Sequence, residues 1–89
     1  MPPSPIPIPA AGFSLEELDG DLLLFNAADG RLLDLNSTAA LVWQLCDGTR
    51  SMAAIIALLS DAYPDAAENI NEDVPHILAD LRRFGALEF

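Results

Sequence analysis

The sequence predicts a single small α+β domain with a winged helix-turn-helix-like arrangement: two or three short N-terminal strands followed by three helices. The chain has 89 residues, enough for one hydrophobic core but too few for two. Short apolar runs separated by turn residues fill the segment from 13 to 35, and from Asn36 the apolar spacing becomes helical. Three helices beside a small sheet give the winged-helix outline.

The N-terminal segment is unusually rich in proline, with Pro2, Pro3, Pro5, Pro7 and Pro9 among its first twelve residues. Proline has no amide donor and favours extended polyproline backbone, so we expect residues 1–12 to form an arm outside the core, disordered or loosely packed. A proline-rich ligand for an SH3-type domain is the less favoured interpretation. The folded domain is therefore predicted to span residues 13–89.

The next segments have the pattern of short strands. Phe13 to Leu18 is a possible first strand, and Asp21 to Asn26 is a stronger second one because it is apolar, short and bounded by turn residues. Asp29-Gly30 supplies turn chemistry, so a hairpin is predicted in which Arg31 to Leu35 returns. In that strand one face carries Arg31, Leu33 and Leu35, and the other carries Leu32 and Asp34.

Two helices are predicted after the hairpin. Asn36 or Ser37 is suited to cap the first helix, Thr38 to Cys46, and Asp47-Gly48 ends it. Thr49 or Ser51 can cap the second helix, Met52 to Ala62, which Pro64 terminates.

The third helix is predicted to follow a polar loop over Asp65 to Asn69. Asn71 is its expected cap, Pro75 is expected in its first turn, where proline is best tolerated, and Gly85 ends it. Its apolar stripe consists of Val74, Ile77, Leu78 and Leu81, and Arg82 and Arg83 lie near the negative end of the helix dipole. Ala86 to Phe89 is a possible final strand.

Composition excludes several classes of function. Fourteen acidic residues face four basic ones, for a net charge of −10, whereas nucleic-acid binding draws its affinity from basic groups. No stretch approaches the 18 or more uninterrupted apolar residues of a membrane span. We therefore expect neither a nucleic-acid nor a membrane partner. The N-terminus lacks the features of a signal peptide and Cys46 is a lone cysteine, so a cytoplasmic location is predicted.

No catalytic, metal or cofactor site is predicted. His76 has no second histidine or cysteine at ligand spacing, and the glycines form no phosphate-binding cluster. Cys46 is on the apolar side of the first helix, where a small buried side chain is far more common than a nucleophile without a base. We expect a protein without enzymatic activity.

One segment carries a recognisable signature. Residues Leu35 to Arg50, which read Leu-Asn-Ser-Thr-Ala-Ala-Leu-Val-Trp-Gln-Leu-Cys-Asp-Gly-Thr-Arg, resemble the centre of PqqD-like proteins. The apolar pairs Ile55-Ile56 and Leu58-Leu59, and the later Asp73-Val74, continue the similarity, which covers roughly residues 20 to 89. The charged Asp34 just before Leu35 and the proline arm depart from the family pattern.

The resemblance implies a function. PqqD-like domains, also called RiPP recognition elements, are peptide chaperones that bind the leader of a ribosomally made precursor peptide. They present it to a tailoring enzyme, often a radical SAM enzyme, as in pyrroloquinoline quinone (PQQ) biosynthesis. The leader typically adds as a strand beside the third strand, against the third helix. On this sequence those elements are residues 31–35 and 72–84.

The physical chemistry of an open sheet edge agrees with this mapping, because an extended peptide can complete its unpaired amide and carbonyl groups. The predicted peptide-binding residues are Arg31, Leu32, Leu33, Asp34, Leu35, Val74, Leu78, Leu81 and Arg82. Arg31 and Arg82 are expected to pair with leader carboxylates. For any single leucine, core packing is the more common role.

Other functions stay open. The chain can be a structural or regulatory partner subunit of an enzyme, and a DNA-binding winged helix with the third helix as reader is less favoured because of the acidic charge. A homodimer is also possible, since the apolar run Asp21 to Phe25 has leucine or phenylalanine on both strand faces.

Overall fold

The structure is a computed structural model, and it describes residues 4–89; Pro2 and Pro3 of the predicted arm lie outside the described residues. The strands are β1 (Ile8–Pro9), β2 (Phe13–Leu18), β3 (Asp21–Asn26), β4 (Leu32–Leu35) and β5 (Leu87–Glu88). The helices are α1 (Ser37–Leu45), α2 (Met52–Ala62) and α3 (Ala67–Arg83), and a 3₁₀ turn (Pro64–Ala66) precedes α3. The predicted α+β architecture is confirmed.

Strands β2, β3 and β4 form an antiparallel sheet in that order, and β1 pairs with β5 in a separate two-stranded ribbon. Leu24 is opposite Leu15 of β2 and Leu33 of β4 on the inner face of the sheet. Leu24 is fully buried, because this face packs against the helices. The alternation that placed Leu33 and Leu35 on one face of the hairpin therefore gives the sheet its buried side.

The core lies between this inner face and the three helices. Each helix is amphipathic: its apolar side chains recur at helical spacing and form a stripe that packs against the inner face of the sheet. The buried cluster consists of Leu24, Val42, Cys46, Ile55, Leu59, Ile70, Val74, Leu78, Leu81, Ala86 and Leu87.

The predictions for α1 and α2 are confirmed to within one residue. Asn36 caps α1, and its side-chain oxygen accepts a hydrogen bond from the Ala39 amide at 2.8 Å. Ser51 caps α2 in the same way, accepting from the Ala54 amide at 3.1 Å. These caps satisfy amides that have no partner within the helix.

The prediction for the start of α3 was wrong. The helix begins at Ala67, within the segment predicted to be a polar loop. Asn71 does not cap it, and its side-chain amide instead donates to the Ala67 carbonyl within the helix. Ile70 explains the longer helix: it is buried and extends the apolar stripe by one turn toward the N-terminus. Pro75 consequently lies well inside α3 rather than in its first turn.

The expectation of a loosely packed arm was wrong for residues 4–10. Pro7 is fully buried, and β1 pairs with β5. The Pro5 carbonyl accepts a hydrogen bond from the Met52 amide at 2.8 Å, and the Ser4 hydroxyl accepts from the Ala53 amide at 3.1 Å. Alternate prolines leave carbonyls free to accept, so the arm binds the exposed amides at the start of α2. The predicted boundary between an arm of residues 1–12 and a folded domain of residues 13–89 stays a prediction.

Between residues 4 and 89, none of the helices combines the length and the apolar character needed to cross a lipid bilayer.

Candidate functional site

Strand β4 lies at the edge of its sheet, and within residues 4–89 no strand pairs with its outer side. The Asn26 amide donates to the Arg31 carbonyl at 2.9 Å, which makes these two residues a hydrogen-bonded pair of the ladder. Antiparallel ladders alternate, so Leu33 and Leu35 also bond to β3. The amides and carbonyls of Leu32 and Asp34 consequently point away from the sheet.

A cavity of about 160 Å³ runs beside this free edge, between β4 and α3. We call it the edge trough. Its lining residues are Leu33, Asp34, Leu35, Asn36, Ala39, Ile77, Asp80 and Leu81. Apolar side chains from both elements thus flank backbone groups that have no partner, the combination that binds an extended peptide.

An aromatic cluster joins the sheet to α1 and to the end of α3. The Phe13 ring lies 5.8 Å from the ring of Phe84 and 6.4 Å from that of Trp43, measured between centroids. Tilted and edge-on rings at these separations attract one another in addition to burying apolar area. The cluster therefore connects β2 with α1 and with the end of α3.

Four of the predicted peptide-binding residues line the edge trough: Leu33, Asp34, Leu35 and Leu81. Leu33 and Leu35 are half-buried, whereas Leu81 is only 1% exposed and forms part of the trough floor. Leu32 is on the outer face of the sheet and is 55% exposed. Strand alternation puts the Asp34 side chain on that outer face as well, so its backbone is the part that faces the trough.

Val74 and Leu78 do not line the edge trough. Val74 is completely buried and Leu78 is 1% exposed, because both point from α3 into the core. That they contact a peptide stays a prediction. Ile77, from the same apolar stripe, is half-buried and lines the trough. The sequence placed Ile77 in the apolar stripe of α3. Only the packing shows that Ile77 is at the partly exposed margin of this stripe, whereas Val74 and Leu78 are at its buried centre.

The two predicted cationic residues lie in different surroundings. Arg31 is tied to its own hairpin and to α3: its side chain forms an ion pair with Asp29 at 2.6 Å, and its guanidinium lies 5.0 Å from the centre of the Phe84 ring. Arg82 does not reach the edge trough; its guanidinium lies over the ring of Phe89, at 5.0 Å. The structure therefore does not bring Arg31 and Arg82 together at one peptide site.

The acidic side chain at the edge trough is that of Asp80, which is exposed. Asp80 is within 3.2 Å of Arg83, but this is an ion pair between largely exposed side chains and is weak. The edge trough therefore combines apolar side chains with backbone groups of β4 and one carboxylate, and the Asp34 carboxylate lies on the adjoining outer face of the sheet.

Cys46 has the surroundings of a core residue, as predicted. It is 4% exposed, and burial, followed by the nearby negative charge of Asp47, raises the pKa of its thiol to about 11. A thiol of this kind is a poor nucleophile at neutral pH. Across residues 4–89, no three histidine, cysteine, aspartate or glutamate side chains are grouped so that they can hold a metal ion.

Comparison with known proteins identifies the family. A family model described as "Coenzyme PQQ synthesis protein D (PqqD)" matches residues 21–87. A protein of Klebsiella pneumoniae (strain 342) called "PqqA binding protein" is 46% identical over 44 residues, which are 49% of this chain and 47% of that protein. The chain thus matches about half the length of this curated relative.

Two solved structures share the fold. One is titled "Lasso peptide synthetase B1 complexed with the leader peptide"; it has a TM-score of 0.75 at 21% identity and covers 96% of this chain and 100% of that one. The other, "TbiB1 in Complex with the TbiA(beta) Leader Peptide", has a TM-score of 0.72 at 16% identity and covers 91% of this chain and 94% of that one. The family match includes β3, β4 and all three helices, and with them both walls of the edge trough. The chain is therefore a member of the PqqD family.

Proposed function

We propose that this domain is a non-catalytic chaperone that binds the leader of a ribosomally made precursor peptide along β4 and presents it to a modifying enzyme. The observation that carries the proposal is the free edge of β4 beside the edge trough. A peptide strand there gains backbone hydrogen bonds from the edge and side-chain specificity from the trough.

The family and its relatives support this function. The curated relative is named for binding PqqA, and both solved structures of the same fold are titled as complexes with a leader peptide. For this chain the pathway is open: PQQ biosynthesis with a radical SAM enzyme is one option, and another peptide pathway is the alternative.

The leader is expected to pair with Leu32 and Asp34, since their amides and carbonyls point away from β3. Successive side chains of an added strand alternate between two sides. One set therefore enters the edge trough against Ile77 and Leu81, and the other set continues the outer face of the sheet next to Leu32.

The charge around the edge trough favours a basic side chain on the leader. Asp80 lines the edge trough, Asp34 lies on the adjoining outer face of β4, and the whole chain carries a net charge of −10. Opposite charges on neighbouring strands stabilise pairing by about 0.2–1 kcal/mol each, and like charges destabilise it. The predicted pairing of Arg31 and Arg82 with leader carboxylates is not part of this proposal, because Arg31 is bound to Asp29 and Arg82 lies elsewhere.

The experiment is a titration of the ¹⁵N-labelled protein with the leader of a precursor peptide encoded beside its gene. We expect the largest amide shifts at Leu32, Asp34 and Ile77. Shifts that avoid β4 and α3 would disprove the site. Binding of the modifying enzyme with equal affinity in the presence and absence of the precursor would favour a regulatory subunit instead.

DNA reading by α3 has little support, because that helix also carries Glu68, Glu72, Asp73 and Asp80. Cytoplasmic location stays a prediction. So does self-association: Leu18 is 62% and Leu32 55% exposed on the outer face of the sheet, and light scattering over a range of concentrations tests whether this face pairs two copies.

A further inference from the structure

A second concave surface lies on the other side of α3. We call this cavity of about 390 Å³ the arginine groove. Met52 of α2, Phe89, and Pro75, Ala79, Arg82 and Arg83 of α3 form its walls, and the buried Leu78 forms its floor. Its volume is within the range of pockets that bind small ligands and anchoring side chains.

The arginine groove and the edge trough can be occupied at the same time. Successive residues of a helix are about 100° apart around its axis, so Ala79 lies about 160° from both Ile77 and Leu81, and Arg82 lies about 140° from Ile77 and about 100° from Leu81. The leader on one side of α3 therefore leaves the other side free for a different partner.

The charge of the arginine groove is opposite to that of the chain as a whole. Arg82 and Arg83 are two of the four basic residues in a protein with a net charge of −10. In the part of the chain from Ser4 onward, Arg31, Arg50 and Arg83 each form an ion pair with an aspartate, and Arg82 is in no such pair. Its guanidinium stacks on the Phe89 ring, which leaves its N–H edges able to bind a carboxylate.

We propose that the arginine groove is a second docking site, which takes an apolar side chain next to a carboxylate on the enzyme that modifies the leader. Met52, Pro75 and Ala79 supply the apolar walls for the side chain, and Arg82 binds the carboxylate. This inference rests on the proposed function, because it assumes that a leader occupies the edge trough. A second copy of this chain is a poor occupant, since two chains of charge −10 repel each other.

The first test uses N-acetylphenylalanine as the probe and N-acetylphenylalaninamide as its uncharged match, each titrated into the ¹⁵N-labelled full chain. We expect N-acetylphenylalanine to shift the Arg82 side-chain Nε–H and the amides of Leu78 to Arg83. The amide is expected to bind about fivefold more weakly, the range of an exposed ion pair. Equal affinity of the two probes, shifts at β4 instead, or no shift up to the solubility limit overturns the proposal.

Variants then show whether the probe binds in the arginine groove or is attracted only by the positive charge of any arginine. Arg82→Gln and Ala79→Leu are expected to abolish the shifts, the first by removing the cation and the second by filling the groove. Arg50→Gln is the matched control: it removes the same charge at a residue that does not line the groove, and it is expected to bind the probe as the unaltered chain does. If Arg50→Gln loses binding as fully as Arg82→Gln does, the groove is not the site.

The second test titrates the modifying enzyme of the same precursor into these variants. Arg82→Gln is expected to weaken the enzyme complex about tenfold, as for an arginine anchor at an interface, and to leave leader binding unchanged. Equal enzyme affinity of Arg82→Gln and Arg50→Gln overturns the proposal. Failure of the leader to shift β4 is a separate result, which refutes the proposed function and not the groove.

Discussion

Asp34→Pro gives a direct test of the free edge. Asp34 is an exposed residue of β4, and the ladder places its amide on the side away from β3. Proline removes that amide and puts its ring where a leader strand has to approach. Because the hydrogen bonds between β3 and β4 belong to Leu33 and Leu35, the substitution is expected to leave the sheet intact.

The size of the effect follows from what the leader loses. One backbone hydrogen bond contributes about 0.5–1.5 kcal/mol net, and the ring also prevents close approach at the neighbouring bond. We expect a loss of about 1.5–3 kcal/mol, which is about a ten- to hundredfold weaker complex at 1.4 kcal/mol per factor of ten. The stability of the free domain is expected to change by about 1 kcal/mol or less, since proline is tolerated at a sheet edge.

The measurement is isothermal titration with the leader, together with thermal unfolding of the free domain. Asp34→Asn is the baseline, because it removes the carboxylate and keeps the amide. Leu33→Pro is the contrasting variant, since it removes a ladder hydrogen bond to β3 and is expected to destabilise the fold by about 1–3 kcal/mol. The reasoning is refuted if Asp34→Pro binds as Asp34→Asn does, or if it unfolds the domain as Leu33→Pro does.

Four further predictions concern the trough, the arm and the titratable groups. Ile77→Asp places a second carboxylate in the edge trough, beside Asp80, and is expected to weaken leader binding about tenfold or more. The effect on stability is expected to be smaller because Ile77 is only half-buried; titration and thermal unfolding compare the two. Deleting residues 1–9 removes β1 and the buried Pro7, and is expected to cost about 2–4 kcal/mol in a denaturant titration; an unchanged midpoint would show that the arm contributes nothing. Hydrogen bonds from the Arg31 amide and side chain lower the pKa of Asp29, and hydrogen bonds from the Thr49 hydroxyl and amide lower the pKa of Asp47. Both carboxylates therefore stabilise the fold at a pH above their unfolded pKa of about 4. This stabilisation is lost as the pH falls through the lower pKa values of the folded state. Asp29→Asn and Asp47→Asn should therefore destabilise the fold more at pH 7 than at acidic pH, and equal destabilisation at both would contradict the assignment. With a pKa of about 11, the Cys46 thiol should react with iodoacetamide at pH 8 far more slowly in the folded than in the unfolded protein; rapid labelling of the folded chain would show that Cys46 is accessible.

Much of the fold follows from local sequence signals. The caps of α1 and α2 could be predicted because Asn36 and Ser51 precede apolar residues at helical spacing, and both accept the expected hydrogen bonds. The hairpin was predictable from the turn at Asp29-Gly30, where Gly30 has a φ of 74°. These features depend on residues within one or two turns of each other, so sequence alone is sufficient.

The start of α3 and the packing of the arm could not be predicted in the same way. A polar stretch such as Asp65 to Asn69 favours a loop locally, but burial of Ile70 against the core makes the longer helix favourable. The arm has no local preference for order. It is held by amides at the start of α2, which are 49 residues further along the chain, and by β5, which is near the other end of the chain.

The sequence by itself determined the α+β order of elements, the similarity to the PqqD family, and a short strand and a third helix with an apolar stripe. Only the tertiary structure decided which residues of that helix face the edge strand, because a side chain's place on a helix stripe does not say whether it reaches the core or its margin. Packing buries Val74 and Leu78, exposes Ile77 to the trough, and turns Arg82 toward the opposite groove.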